Sequence, residues 1–320
     1  MTTRFPAPLR PGDRVGVTSP SMGVTGRDRV VLDRAVAAVR GRGYEVVIGT
    51  CMDGTAHVSA PAADRAAELT AMLTDPSIRA VVPPRGGETA IDLLPLLDWD
   101  AIAAAEPTWF AGFSDISTLI LPVTLRTGIA TLHANNLLNA PYGGPATTWL
   151  DIVALPRGAS ITQVAGVDDG PWQRFDEGTG AVDATGRLVG GCLETVRHLA
   201  GTPHGDVARF RREHAPGDGV IVYVEAAGDD AYSVCRSLHG MRLAGFFAHA
   251  RAILVGRTYA PPSPAMTQRQ AVLDALGGLG VPVIGEVGCG HVPPYLPVVN
   301  GALGRLRFGA QGASLVQSLA

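Results

Sequence analysis

The stretch Trp109-Phe110-Ala111-Gly112-Phe113-Ser114-Asp115-Ile116-Ser117-Thr118-Leu119-Ile120 decides the fold class. Trp109 to Phe113 is short, apolar and aromatic, as a buried strand is. Asp115 to Arg126 is apolar and helix-compatible, with Pro122 placed to kink it. Strand and helix meet at Ser114, so its hydroxyl is lifted to the carboxyl edge of a parallel sheet. Helix-start amides and the helix dipole favour negative charge there, and an oxyanion beside Ser114 can be held by the amide of Asp115. A serine at a helix start is equally an N-cap, and the second glycine of G-x-S-x-G is missing.

The same strand-helix period extends outward. Arg14 to Thr18 reads as a strand, Ser19 to Gly23 as a loop and Arg27 to Arg40 as a helix. Tyr44 to Ile48 is the next strand, a helix runs from about Ala62 to Leu73, and Ala80-Val81-Val82 leads into the turn Pro83 to Gly87. From Gly143 to Gly186 the pattern breaks into Gly, Pro, Asp and Trp, the mark of a connection or a long functional loop. Regular elements resume with a helix after Gly190-Gly191, strands at Gly219–Val224, Ala252–Val255 and Val281–Ile284, and helices at Ala231–Leu243 and Pro264–Leu276. The chain is therefore read as α/β, with residues 1–150 carrying Ser114, residues 151–185 connecting, and residues 186–320 forming a second unit.

Two further groups sit where open α/β sheets place their sites, at the carboxyl ends of strands. Glu225 ends the run Val220-Ile221-Val222-Tyr223-Val224. A carboxylate there can orient an imidazole, or pair with Arg257, or cap a helix. Gly288-Cys289-Gly290-His291 presents an imidazole on a Gly-rich loop, the natural general base, with Glu286 as a rival carboxylate and Cys289 as a rival nucleophile. Arg85-Gly86-Gly87-Glu88 can cradle a phosphate or supply a second oxyanion amide, because glycine allows close backbone approach. Trp149 and Trp172 are either packing anchors or an aromatic wall for substrate, with Glu88 a further candidate for substrate contact.

Composition excludes several classes. The chain has 320 residues, 46% hydrophobic, enough for a sizeable core in two domains. Its 26 basic and 29 acidic residues and pI near 6.2 give no diffuse attraction to nucleic acid or an anionic membrane. No spanning segment or signal sequence is read, and a cytoplasmic location is expected. The four cysteines are dispersed without a CxxC pair, so no disulfide is expected. No dinucleotide fingerprint, HExxH or calcium loop is present, so neither cofactor nor metal is expected.

Taken in order, the segments Leu9-Arg10-Pro11-Gly12-Asp13 with Ser19-Pro20-Ser21, Arg85-Gly86-Gly87-Glu88 with Leu93 to Asp98, Gly112 to Ile116, Gly186 to Gly191, Tyr223-Val224-Glu225, and Gly290-His291 with Pro294 resemble the LD-carboxypeptidase family. This family includes muramoyl-tetrapeptide carboxypeptidases and microcin C immunity peptidases. The resemblance implies a flavodoxin-like N-terminal parallel-sheet domain, a smaller C-terminal α/β domain and an active site in the cleft between them. It implies a Ser114-Glu225-His291 triad cutting an amide bond, with the amides of Gly87 and Asp115 as oxyanion hole. A small peptide or peptide-nucleotide-like substrate and a homodimer are implied as well. Cys192 stands where the family usually has Asn, and His133-Ala134-Asn135 replaces a commoner aromatic-or-His, Gly, Pro. The run from Gly290 to Pro294 and the Trp-containing middle stretch look more like the immunity-peptidase branch.

Overall fold

The computed structural model describes residues 2–143, 147–166, 170–261 and 263–320. Five short strands, β1 (Arg14–Val17), β2 (Glu45–Ile48), β3 (Ile78–Val81), β4 (Trp109–Gly112) and β5 (Thr131–His133), form a parallel sheet in the order β5-β4-β3-β1-β2. Helices α1 (Gly26–Gly41), α2 (Ala62–Thr74), α3 (Trp99–Ala104) and α4 (Ser117–Thr127) connect them. Strands buried on both faces read as continuous apolar runs, which is why β3 and β4 were legible.

The middle stretch departs from the expected loop. It contains α5 (Trp149–Val153), β6 (Ser160–Val164) and β7 (Gln173–Arg174). The two strands lie at opposite edges of an eight-stranded sheet. Edge strands need only one hydrogen-bonded neighbour and little burial, so they carry weak periodicity; β6 has one buried residue in five. Next comes β8 (Val182–Cys192), which includes Gly190 and Gly191, where a helix start was expected. A Cβ on Gly190 would stand 1.8 Å from the Tyr223 carbonyl oxygen, so these glycines serve close strand contact. The helix that follows, α6 (Leu193–Val196), has a single turn.

After α7 (Val207–His214), the strands β9 (Val220–Glu225), β10 (Ala250–Gly256) and β11 (Val283–Val287) extend β8 in parallel, with α8 (Ala231–Leu243) and α9 (Gln268–Leu276) between them. The chain then returns to the first sheet, where β12 (Val298–Asn300) pairs antiparallel with β5. Finally β13 (Leu303–Gly309) and β14 (Gly312–Ser318) form a hairpin against β8. Among the described residues the second sheet thus has eight strands against six in the first, because the middle stretch and the terminal hairpin both add to it.

The sheets meet through α4, which is buried along nearly its whole length and packs against both β5 and β8. Asn300 adds a polar tie. Its Oδ1 accepts the Gly190 N–H at 3.1 Å and the Tyr223 hydroxyl at 3.0 Å, and all of these groups are fully enclosed. Asn300→Ala leaves both donors without an acceptor in the interior and is expected to lower stability by about 2–4 kcal/mol. Urea denaturation at neutral pH, compared with a surface control such as Tyr232→Ala, checks it.

Candidate active site

Ser114 stands two residues beyond the end of β4, next to Phe113, and has a left-handed backbone with φ 62°. Such a conformation costs a non-glycine residue about 1–3 kcal/mol and persists where the surroundings enforce it. Here Asn136 grips the turn: its Oδ1 accepts the Phe113 N–H at 3.1 Å, and its amide nitrogen reaches the Phe113 carbonyl at 3.4 Å. Gly112 makes room, since a Cβ there would sit 2.7 Å from Asn136 Oδ1. After one 3-10 turn over Ser114–Ile116, helix α4 begins. Among the described residues the Ser114 hydroxyl makes no hydrogen bond, and it is half-buried.

The turn at Gly86-Gly87 lies against this serine. A Cβ on Gly86 would stand 2.9 Å from Ser114 Cβ and 3.1 Å from the Asp115 amide nitrogen. Gly87 has φ 150°, a conformation open to glycine. The Asp115 side chain points away from solvent, 3% exposed, and accepts hydrogen bonds from Ser21 and from the Ala90 amide. Glu88 is exposed and pairs with His57 at 2.6 Å. Together with Gly87, Asp115, Thr118, Glu194 and His198 it lines a cleft of about 420 Å³.

The acid and the imidazole come from the second sheet. Glu225 ends β9 with a fully buried side chain, and its Oε2 accepts the His291 Nδ1–H at 2.8 Å. Gly290, at φ 98°, lets the loop pass over the carboxylate: a Cβ there would fall 2.3 Å from Oε2. Burial favours the neutral acid, but His133 at 3.6 Å and His291 at 2.8 Å outweigh it, and the Glu225 pKa is lowered to about 2. In His291 burial disfavours the imidazolium, while the hydrogen bond and charge of Glu225 overcome this and raise its pKa above the usual 6.5. The Phe113 ring, next to Ser114 in the chain, lies 4.7 Å from the His291 ring. The two sheets thereby converge on one site.

The competing assignments separate in three dimensions. Glu286 takes a left-handed backbone in β11, while the imidazole pairs with Glu225. Arg257 donates to the Pro293 carbonyl at 3.0 Å and steadies the His291 loop. Cys289 is 1% exposed, and none of the four cysteines is in a disulfide. Trp172, offered as a substrate wall, is 5% exposed and packs into the core with Trp149, so protein covers the faces meant for stacking. Large aromatics repay burial more than exposure, and a patternless stretch does not reveal which they take.

Sequence reading noted His133 only as a departure from the family pattern and missed its place opposite Glu225 Oε1, which it faces from the end of β5 at 3.6 Å, longer than a hydrogen bond. Its position at a strand's carboxyl end was the available signal. Two ligand-like groups also assemble only in the fold, Cys192 with Glu225 and His291, and Cys235 with His239 and Asp274, their donor atoms within 4.8 Å of one another. In the second group Arg242 donates to His239 Nδ1 at 3.1 Å, which sets a cation beside the position a metal would take.

Residues 15–134 match the LD-carboxypeptidase N-terminal domain, and residues 185–306 match the LD-carboxypeptidase C-terminal domain. A relative from Streptomyces coelicolor, named among the carboxypeptidases, is 33% identical over 92% of this chain and 91% of its own length. The murein tetrapeptide carboxypeptidase of Pseudomonas aeruginosa is 35% identical over 51% of this chain and 50% of its own. Among solved structures, the microcin C7 self-immunity protein MccF bound to aspartyl sulfamoyl adenosine superposes with a TM-score of 0.80 at 21% identity, covering 98% of both chains. The muramoyltetrapeptide carboxypeptidase of Oxalobacter formigenes gives 0.76 at 21% identity, covering 95% of this chain and 98% of its own. With both domains matched in order and along most of its length, the chain belongs to the LD-carboxypeptidase family of serine peptidases.

Proposed function

We propose that the protein hydrolyses an amide bond in a small peptide or peptide-like conjugate by acyl transfer through Ser114, with His291 as general base and Glu225 as the carboxylate that orients it. The observation that carries this reading is the 2.8 Å hydrogen bond from His291 Nδ1 to the buried Glu225 carboxylate. With Nδ1 donating, Nε2 holds the lone pair that takes a proton from a serine hydroxyl. The strained turn at Ser114, the adjacent Gly86-Gly87 backbone and the Phe113-His291 ring contact support the same arrangement.

In this mechanism His291 removes the Ser114 proton as Oγ attacks the carbonyl carbon. The tetrahedral oxyanion accepts hydrogen bonds from the amides of Asp115 and Gly87, each worth about 3 kcal/mol in comparable enzymes. His291 then protonates the leaving amine, and water, deprotonated by the same imidazole, releases the acyl group from Ser114. Glu225 stays ionised and stabilises the transient imidazolium. Glu88, at the rim of the cleft, contacts the substrate beyond the scissile bond. The substrate class follows the relatives: their names include murein tetrapeptide carboxypeptidases, and MccF structures hold aspartyl and glutamyl sulfamoyl nucleosides.

Mass spectrometry of murein tetrapeptide, aspartyl sulfamoyl adenosine and simple dipeptides after incubation tests the reaction and ranks these classes. Ser114→Ala is expected to lower turnover at least about 1,000-fold with an unchanged circular dichroism spectrum, while Cys289→Ala keeps it within a few-fold. The reverse result assigns the nucleophile to the thiol.

The pKa directions set the pH dependence. Only neutral His291 acts as base, so kcat/KM rises with pH through an inflection above 6.5. Glu225→Gln is expected to move that inflection down and to lower kcat about 100-fold or more. Stability follows the opposite limbs. The depressed Glu225 pKa contributes stability that is present above about 4.5 and lost as pH falls towards 2. The raised His291 pKa contributes stability present below 6.5 and lost as pH rises through its folded value. Melting temperature against pH, in wild type and in Glu225→Gln, reads both; a variant that retains the full acid-side decline contradicts the assignment.

A further inference from the structure

The Ser19-Pro20-Ser21 loop lies at the carboxyl end of β1 and is enclosed, yet the mechanism above gives it no task. Ser21 Oγ donates to Asp115 Oδ2 at 2.6 Å and accepts the Thr89 N–H at 3.1 Å. The same Asp115 oxygen accepts the Ala90 N–H at 2.9 Å, and the other oxygen accepts the Thr118 hydroxyl at 3.3 Å. A Cβ on Gly87 would stand 2.2 Å from Ser21 Oγ, so the hydroxyl rests directly on the Cα face of Gly87. One oxygen atom therefore touches both segments that carry the oxyanion donors: the Gly87 turn by packing and through Thr89, and Asp115 by its shortest hydrogen bond.

A second clamp holds the same loops from behind. Arg65 is 2% exposed, and its guanidinium donates to the carbonyls of Ala60 at 2.8 Å, Pro20 at 2.7 Å and Thr89 at 3.3 Å and to Asp92 at 2.8 Å. Arg65 bonds neither Gly87 nor Asp115. It fixes the loops as bodies and leaves the spacing between the two amides to Ser21.

We propose that Ser21 is a positioning residue for the reaction, setting the separation of the Gly87 and Asp115 amides through its contacts with both. This rests on the acyl-transfer reading of Ser114. Without the hydroxyl, the Thr89 N–H has no acceptor and Asp115 Oδ2 keeps one donor, so the Gly87 turn can drift relative to the nucleophile. The oxyanion exists only beyond the ground state, so the loss falls on kcat and spares KM. A displacement of about 1 Å in such a site costs on the order of 100-fold.

The experiment compares wild type, Ser21→Ala and Asp92→Asn on one amide substrate, each well below its melting temperature, together with the rate of fluorophosphonate labelling and peptide mapping of the labelled site. Asp92→Asn loosens the Arg65 clamp and serves as the stability control. Expected for Ser21→Ala is a kcat about 10- to 100-fold lower, a KM within about twofold, and a labelling rate that falls in parallel with kcat. Asp92→Asn lowers the melting temperature with kcat within about twofold. Should Ser21→Ala fail to fold, Asp115→Asn, which keeps the backbone amide but alters the partner of Ser21, is expected to show the same kcat-selective loss. The proposal is overturned if the variant that is measured has a wild-type kcat, or if its kcat and KM change together in step with a lowered melting temperature. Absence of label on Ser114 in the wild type removes the acyl-transfer reading itself, whereas a labelled wild type with an unaffected Ser21→Ala removes only the role of Ser21.

Discussion

The ionised Glu225 carboxylate is the group on which the arrangement of this protein turns. Taking a carboxylate out of water costs several kcal/mol unless partners compensate it. Here the partners arrive from two directions: His291 on a loop of the second sheet, and His133 from the last strand of the first. His133 comes within 3.6 Å of the carboxylate only when the two sheets are docked. The docking is correspondingly heavy, with α4 buried between them, β12 crossing back to pair with β5, and Asn300 linking β8, β9 and β12 through its side chain.

Around that charge the backbone is brought closer than side chains permit. Gly256 and Gly290 flank Glu225, and a Cβ on either would fall within 2.6 Å of it. Gly86 and Gly112 do the same around Ser114 and its supporting Asn136. Missing Cβ atoms at these four positions allow the Ser114 turn, the Gly86-Gly87 turn and the His291 loop to meet. The entropic cost of glycine is borne where geometry demands it. Left-handed Ser114 is the complementary case: it carries a side chain on this backbone, and Asn136, accepting from the Phe113 N–H and donating to its carbonyl, holds the turn.

Much of this was legible from the chain alone, and the reasons for success and failure are physical. Buried parallel strands such as Val220–Glu225 announce themselves by continuous apolarity, and a polar residue ending such a run stands out. Glu225 and Ser114 were found on that basis. The edge strands β6 and β7 were not, because pairing on one side demands no apolar pattern. Gly190-Gly191 read as a break because glycine weakens a strand by propensity; only the approach of Tyr223 explains why glycine is needed there. Trp172 stayed open between substrate wall and packing anchor, since its size fits both equally, and only the neighbouring chain decides between them.

The sequence by itself determined the α/β class, the serine at a strand-helix junction, the carboxylate at a strand end, the imidazole on a glycine loop, and the ordered motifs of the LD-carboxypeptidase family. Periodicity, glycine placement and residue chemistry are local properties and survive in one dimension. The tertiary structure decided which carboxylate pairs with His291, that His133 stands on the other side of it, that Trp172 is enclosed, and that Ser21 lies between Gly87 and Asp115. These are relations between segments tens of residues apart. Their distances follow from how two sheets pack, and no local pattern encodes them.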